Sequence, residues 1–361
     1  MELKDNNLYY IGGVVRDEIL ETPSFDVDYC YEGDAIKFSE HLNVIKTNPD
    51  FGTVRIKYED KEIDIASTRF ETYPQKGHLP VVENIGCALK DDLSRRDFTI
   101  NALAKNTVTG EIVDYFNGLE DIKNKKLRVL HNNSFIDDPS RIIRGLKFSV
   151  RFGFELEENT KKLQDEYLKN VNYDMSFHRI KKELKETFNL NKYLAYEKFV
   201  EQGIYKLLGD NQIPKKIDSK VEELVLKYQP EHTWLIYLGL YNLSNFELTV
   251  EEKTIIESYQ KISNLKFKSD YEIYKEFKTI PLESILIYGI TIDYCSAIKY
   301  LDNLSKIQLE ITGDDLLELG IKQGKVYKEI FDYVLEYKLK NQNISKPEEL
   351  ELVKKWVSDS L

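Results

Sequence analysis

The hydrophobic period changes once along this chain, near residue 135, and that change limits the folds open to it. From residue 1 to about 125, short β-branched and aromatic runs (LYYIGG, FDVDYCY, TVRIKY, KEIDIAS) alternate with Gly and Asp turns and are followed by an apolar TINALA. That pattern predicts short strands. Beyond about 135, apolar residues recur at spacings of three and four, as in RIIRGLKFSVRF and FHRIKKELKETF, which is the period of amphipathic helices. The expectation is an α+β chain, with a mixed-sheet head followed by an all-helical remainder. At 361 residues the chain exceeds the roughly 100 to 200 residues usual for one domain. Within the helical part, joints are expected at the Gly/Pro/Asn cluster near 209–216 and around 262–270. The expected division of the chain is 1–125, 126–190, 191–268 and 269–361. No internal repeat or low-complexity segment is present, which sets solenoids aside.

Composition narrows the function classes. Hydrophobic residues make up 42% and charged residues 31%, a globular balance and not a disordered one. A net charge of −11 excludes a protein that coats nucleic acid indiscriminately, because such binding rests on a basic surface; a local basic patch stays open. Cys30, Cys87 and Cys295 lie far apart with no CxxC spacing, so neither a disulfide framework nor a zinc site is indicated. His41, His78, His131, His178 and His232 are scattered without metal-ligand spacing and read as ordinary surface or core residues. Acidic residues occur early, and no apolar run reaches a secretion signal or the ~20 residues of a membrane span. The expectation is a cytoplasmic protein with no membrane partner.

The chemistry concentrates in a few places. In LYYIGGVVRDEIL a strand-like run ends at Gly12-Gly13 and a helix begins. Paired glycines let backbone N–H groups approach an anion such as a triphosphate, and Arg16 adds a phosphate donor one turn on. A plain tight turn would use the same glycines. In SFDVDYCY, Asp26 and Asp28 stand two apart, on one face if the segment is a strand. Two carboxylates so placed suit a cation between them, and Mg2+ prefers such oxygen ligands together with substrate phosphates. A solvated strand face is the alternative. KEIDIAS puts Glu62 and Asp64 on a face opposite Ile63 and Ile65; Asp64 is a candidate third carboxylate or, equally, a surface residue of an edge strand.

Four ordered motifs then fall into place: GGVVRDEIL at 12–20, DVD at 26–28, RRDFTINALA at 95–104 and DDPSRIIRGLKFSVRFGF at 137–154. Together they resemble the class II tRNA nucleotidyltransferases, meaning CCA-adding enzymes and their CC-adding, A-adding and poly(A) polymerase relatives in the polymerase-β superfamily. The motifs cover roughly residues 8–190, with a weaker similarity to the C-terminus. The resemblance implies a polymerase-β-like nucleotidyltransferase head, then a neck (126–190) that recognises the base, a helical body and a tRNA-binding tail. It implies that Asp26 and Asp28 bind two magnesium ions while Gly13 and Arg16 hold the triphosphate of ATP or CTP.

By the same resemblance Asp138 and Arg141 replace a nucleic-acid template. Cytosine and adenine each present an amino donor beside a ring-nitrogen acceptor, which a carboxylate and a guanidinium complement; uracil and guanine present the reverse. Such a site discriminates by factors of about 10⁴ or more. Asp138-Pro139 also reads as a helix start, and both roles are compatible. Arg144 and Lys147 extend the basic face, Lys147 without the planar fork of the Arg often found there in the family; a solvated helix edge is the alternative. Arg96 is implied in nucleotide binding, with Asp97 as a buried partner orienting it or as part of a structural turn. Asn101 is a candidate for the primer or sugar.

The Pro- and Gly-rich stretch 68–86 reads as a long mobile loop, placed where the family changes specificity from C to A, and its YPxxGxLPxV character resembles A-adding and some CCA-adding members. Near the C-terminus, Gly313, Gly320 and Gly324 punctuate short helices beside Lys322 and Lys325, which could meet tRNA phosphates or simply cap helices. The expected partner is tRNA, read by shape at its acceptor and TΨC end, with no obligate protein partner. No His-Asp dipeptide occurs, so the phosphohydrolase domain of some relatives is not expected. The function implied is CCA addition. A-only addition, CC-only addition and poly(A) synthesis are the alternatives within the class; an inactive tRNA-binding protein and a small-molecule nucleotidyltransferase lie outside it.

Overall fold

In the computed structural model, which describes residues 3–24 and 27–360, the N-terminal part builds nine strands: β1 (Leu8–Ile11), β2 (Tyr29–Tyr31), β3 (Asn43–Asn48), β4 (Thr53–Tyr58), β5 (Lys61–Ser67), β6 (Arg69–Thr72), β7 (Val81–Ile85), β8 (Leu103–Asn106) and β9 (Ile112–Asp114). Seven form one sheet in the order β3-β4-β5-β2-β1-β8-β9. Neighbours pair antiparallel except β2 and β5, which run parallel with Tyr29 opposite Ile65. The sheet is mixed, as expected. Alternation drives it: in β4, Val54 and Ile56 are buried while Arg55 and Lys57 are exposed. Leu8, Tyr29, Val54, Ile56 and Ile65 gather in one core cluster, and Ile11, Cys30, Leu93, Ala102 and Ala104 in another. Each large side chain so buried contributes on the order of 1.5–3 kcal/mol.

Two expectations change here. The strand predicted over 25–31 is short: β2 begins at Tyr29, Asp28 lies just before it, and Asp26 lies outside the described residues. The stretch 68–86 is not a structureless loop. β6 and β7 pair as a hairpin, because Phe70, Val81 and Val82 favour extended backbone while the prolines and glycines are confined to its ends and tip. That tip is docked: Gly77 N donates to the Asp137 carbonyl at 3.0 Å, and Ser176 N donates to the Gly77 carbonyl at 2.9 Å. Gly77 has φ +78°, and a Cβ there would stand 2.9 Å from the Met175 Cβ, so the close approach requires glycine.

The remainder is helical. The Ser140–Phe152 helix buries Ile142, Ile143, Leu146 and Phe148, ends at Gly153 in the left-handed conformation, and packs against the Phe177–Phe188 helix. The chain divides into two compact units, 1–214 with 242–247, and 215–241 with 248–361. The second unit has its own cores, one around Phe277, Tyr288 and Leu304 and one around Leu316, Ile330 and Val334. There Lys338 is buried, donating to Glu349 at 2.5 Å and Glu310 at 3.3 Å. The Gly313–Glu318 helix and the Lys325–Asn341 helix are separated by the turns at Gly320 and Gly324. Among the described residues, no helix is long and apolar enough to cross a membrane.

Candidate active site

A cavity of about 720 Å³ in the first unit gathers residues from the Gly12 turn, the β6–β7 hairpin and the two long helices. Gly12, Gly13, Arg16, Asp28, Arg96, Asp138, Arg141, Arg144 and Lys147 all line it. Its wall carries eight arginines and Lys147 against six carboxylates, a local reversal of the chain's net charge of −11. Such a wall suits a polyanion.

Gly12 has φ +69° and precedes the short Gly13–Ile19 helix. A Cβ on it would lie 2.7 Å from Arg96 Nη1, so glycine is what lets that guanidinium lie against the turn. Arg16 is 4% exposed. Its Nε donates to Asp17 at 2.9 Å, Nη2 to the same oxygen at 2.6 Å, and Nη1 to Asn101. The guanidinium also lies over the Phe148 and Phe152 rings, at 5.1 and 4.7 Å. Among the described residues, three of its five N–H groups have acceptors.

Asn101 continues the chain of contacts by donating to Asp97 at 2.9 Å, and Asp97 also accepts from Arg144 Nε at 2.6 Å. Asp97 therefore does not orient Arg96; it braces the local turn, accepting from Phe98 N at 2.7 Å, as the alternative left open by the sequence has it, though without Arg96 as its partner. Arg96 pairs with Asp92 at 3.3 Å, four residues back on the helical turn. Burial alone would raise the Asp97 carboxyl, but Arg144 and the Asn101 amide outweigh it and hold it at about 2. Arg144 is pushed up from its ordinary value despite burial, by Asp97 and Glu183. Because the folded-state value of Asp97 lies below the ordinary ~4, the stability it contributes is present above about pH 4 and is lost as pH falls towards 2. Asp97→Asn is expected to lose about 2 kcal/mol near neutral pH, with the gap narrowing as pH drops below 4. Denaturation of both proteins across pH 3 to 7 checks this; a gap independent of pH would contradict it.

Asp138 and Arg141 meet at the start of the Ser140–Phe152 helix, 3.8 Å apart and both buried. Asp138 Oδ1 accepts from Ser140 N at 3.1 Å and Ser140 Oγ at 2.5 Å, so it braces the helix start as well; Oδ2 accepts from Arg179. Arg141 Nη1 donates to Ser134 Oγ at 2.7 Å and faces His131 Nε2 at 3.5 Å. Its Nη2 donates to the Arg95 carbonyl at 2.8 Å and the Tyr73 hydroxyl at 3.3 Å. His131 is pushed below its ordinary value by burial and then by Arg141. Lys147 reaches Glu183 at 2.7 Å and Glu186 at 2.5 Å.

Sequence reasoning missed Arg179, Glu183 and Tyr73. Arg179 and Glu183 sit four apart on a recognised helix, which placed them on one face but did not say what that face meets. Asp64 is on β5 as expected, but both its oxygens accept from Arg55 across the β4–β5 pair, at 2.7 and 2.8 Å. Arg55 accordingly holds the Asp64 carboxyl below its usual range. Asp64 does not line the 720 Å³ cavity; it shares two adjoining cavities with Asp28. In the second unit, Glu231, His232 and Glu251 come close enough to share a cation, and His232 lies 3.5 Å from Glu251. Glu231 and Glu251 are exposed.

Residues 8–128 match the family model described as the poly A polymerase head domain. Over 361 residues the chain is 30% identical to the A-adding tRNA nucleotidyltransferase of Halalkalibacterium halodurans, covering 90% of this chain and 82% of that one. The chain belongs to the tRNA nucleotidyltransferase and poly(A) polymerase family. Another tRNA nucleotidyltransferase, the A-adding protein of Aquifex aeolicus, is 33% identical over 373 residues, which is 93% of this chain but 45% of that protein. The chain thus spans about half the length of that relative. The Thermotoga maritima CCA-adding enzyme complexed with tRNA superposes with a TM-score of 0.74 at 24% identity, covering 97% of this chain and 91% of that one. At that identity the likeness concerns the fold alone: a head with a mixed sheet, followed by helices.

Proposed function

We propose that this chain adds nucleotides to the 3′ end of tRNA without a nucleic-acid template, taking CMP and AMP from CTP and ATP to build the CCA end. The observation that carries this reading is the buried Asp138–Arg141 pair in one cavity with Gly12, Gly13, Arg16 and Asp28. A base-reading pair and a phosphate-binding turn in one enclosure are what template-free selection of a nucleoside triphosphate requires. The neck, residues 126–190 in this reading, supplies the pair. Tyr73 and His131 make the longest hydrogen bonds to Arg141, at 3.3 and 3.5 Å, and are the ones an incoming base displaces at least cost. Gly12 and Gly13 admit the triphosphate, with Arg16 and Arg96 beside it.

Asp26 and Asp28 are the proposed ligands of two divalent cations. An all-oxygen donor set fits a hard ion such as Mg2+, and the exposed Asp28 faces the cavity. Asp64 joins as a third carboxylate by exchanging Arg55. When bound, such ions neutralise triphosphate charge and favour ionisation of the attacking hydroxyl. In the transfer, the RNA 3′ oxygen bonds to the α-phosphorus as the bond to the bridging oxygen breaks. Pyrophosphate leaves with that electron pair, and the hydroxyl proton passes to solvent.

A second reading, addition of the terminal A alone, is favoured by the names of the relatives at 33% and 30% identity, both A-adding tRNA nucleotidyltransferases. Extension of tRNA transcripts ending before CCA, after C and after CC, with CTP and ATP singly and together, separates the readings. Stepwise completion from every start supports CCA addition, and extension only of the CC end supports A addition. No incorporation with magnesium present overturns both.

A further inference from the structure

Each terminal nitrogen of the Arg141 guanidinium has two acceptors. Nη2 donates to the Arg95 carbonyl at 2.8 Å and the Tyr73 hydroxyl at 3.3 Å, and Nη1 to Ser134 Oγ at 2.7 Å and His131 Nε2 at 3.5 Å. The two sides differ in what lies beyond them. Tyr73 lines the 720 Å³ cavity together with Arg95, Asp138 and Arg141, whereas Ser134 and His131 do not. Both long contacts are weak, but only Tyr73 stands where a base enters. The base takes the place of Tyr73, while Ser134 and His131 hold the guanidinium from behind.

The ring behind the fork serves in one protonation state only. To accept from Nη1, Nε2 must present its lone pair, so the proton of the neutral ring sits on Nδ1. Imidazolium has no lone pair to offer. It would also set a second positive charge 3.5 Å from a guanidinium that is 3% exposed, where water screens little. The charged groups facing the ring are Arg141 on the Ser140–Phe152 helix, Asp137 on the Ser134–Asp137 helix, its Oδ2 4.0 Å from Nδ1, and Lys76 at the hairpin tip. Of these, Asp137 alone favours the charged ring, and it is already paired with Lys76 at 2.6 Å. Burial first, and then Arg141, keep His131 below its ordinary value.

We propose that His131 is a positioning residue for base choice, acting through Arg141: as an uncharged acceptor it fixes the plane of the guanidinium that meets the base edge. This rests on the nucleotidyl-transfer reading. Once a base has replaced Tyr73, the fork is held by Ser134, His131 and the Arg95 carbonyl. A hydrogen-bonding site rejects the wrong edge only while its donors keep their direction. Charging the ring removes one anchor and pushes the fork towards the cavity, where it can turn from the ring nitrogen of adenine to the carbonyl of guanine.

The test uses the full chain, a tRNA transcript ending in CC, and ATP or GTP, because the CCA-adding and A-adding readings both use that acceptor. The quantity read is the ratio of kcat/KM for ATP to that for GTP, in which pH effects on the attacking hydroxyl and on the acceptor cancel. At about pH 7.5, His131→Ala is expected to lower this ratio roughly tenfold. His131→Gln, whose amide oxygen accepts near the place of Nε2, keeps it within about twofold. In the unmodified chain the ratio falls as pH drops below about 6.5, the ordinary histidine value, towards about 5; in His131→Gln it stays level. An unchanged ratio in His131→Ala, even with both rates lowered, marks a merely structural role and overturns the inference, as does one pH profile shared by the unmodified chain and His131→Gln. If Arg141→Ala keeps the unmodified ratio, or the unmodified chain extends no RNA, the underlying reading fails instead, so the two failures are distinguishable.

Discussion

Asp28→Ala is expected to lower the rate of nucleotide incorporation by roughly 10³-fold or more, about 4 kcal/mol of transition-state stabilisation, while leaving the fold and RNA binding intact. The structural side of this expectation rests on where Asp28 contributes. Its carbonyl accepts from Ile11 N at 3.1 Å, a backbone contact that alanine keeps, so β1 stays joined to the chain ahead of β2. Its carboxylate is exposed, and truncation of an exposed side chain usually changes stability by no more than about 0.5 kcal/mol. The chemical side rests on charge. In the proposed reading a triphosphate meets the arginine-rich wall whether or not Asp28 is present, but the reacting centre loses one of its two proposed cation ligands, and Asp64, which fills the place of a third carboxylate in that reading, does not make up the loss. Single-turnover incorporation measured beside filter binding of tRNA reads the two effects separately. Near-normal incorporation would remove Asp28 from the reacting centre, and a matching loss of tRNA binding would point to a structural role.

Much of this site was legible because its residues fall in short, ordered motifs. Gly12, Gly13 and Arg16 were named from a local pattern and Arg96, Asp138, Arg141, Arg144 and Lys147 through the family resemblance, and each lines the cavity. What the sequence did not carry was the pairing among them. Asp97 is 47 residues from Arg144, and Asp138 is 41 from Arg179; contacts over such separations are set by how helices pack, which periodicity constrains only to a face. Arg96 and Asp97 do not pair although the equally adjacent Arg16 and Asp17 do, because Arg96, near a helix end, meets the residue four before it, Asp92. The β6–β7 hairpin was masked by composition: Pro74, Gly77 and Pro80 mark its tip, yet the β-branched Val81 and Val82 after them already favoured a strand. The parallel pairing of β2 with β5 follows from topology, so the sequence could suggest that Asp64 lies near the Asp28 segment but not that Arg55 would occupy it.

Arg141→Ala is expected to cut the preference for CTP over UTP by about 10² to 10³ in kcat/KM, while raising the KM for CTP by less than about tenfold. A pocket that hydrogen-bonds a base edge rejects the wrong edge mainly because buried polar groups would be left unpaired. Removing the guanidinium removes that penalty for uracil and leaves cytosine without one donor. In the proposed reading the triphosphate meets Gly12, Gly13 and Arg16 on another part of the cavity wall, so those contacts persist. Stability falls too, since Ser134, Tyr73 and the Arg95 carbonyl each lose a donor. Asp138 keeps Arg179 and Ser140, so its buried charge is not abandoned and the fold survives. Arg141→Lys separates charge from geometry, because lysine keeps the positive charge without the planar fork. If the fork reads the base, the lysine variant discriminates nearly as poorly as alanine; if charge alone suffices, it behaves like the unmodified chain. Equal CTP-to-UTP ratios in all three proteins would mean that Arg141 supports the helix start and does not choose the base.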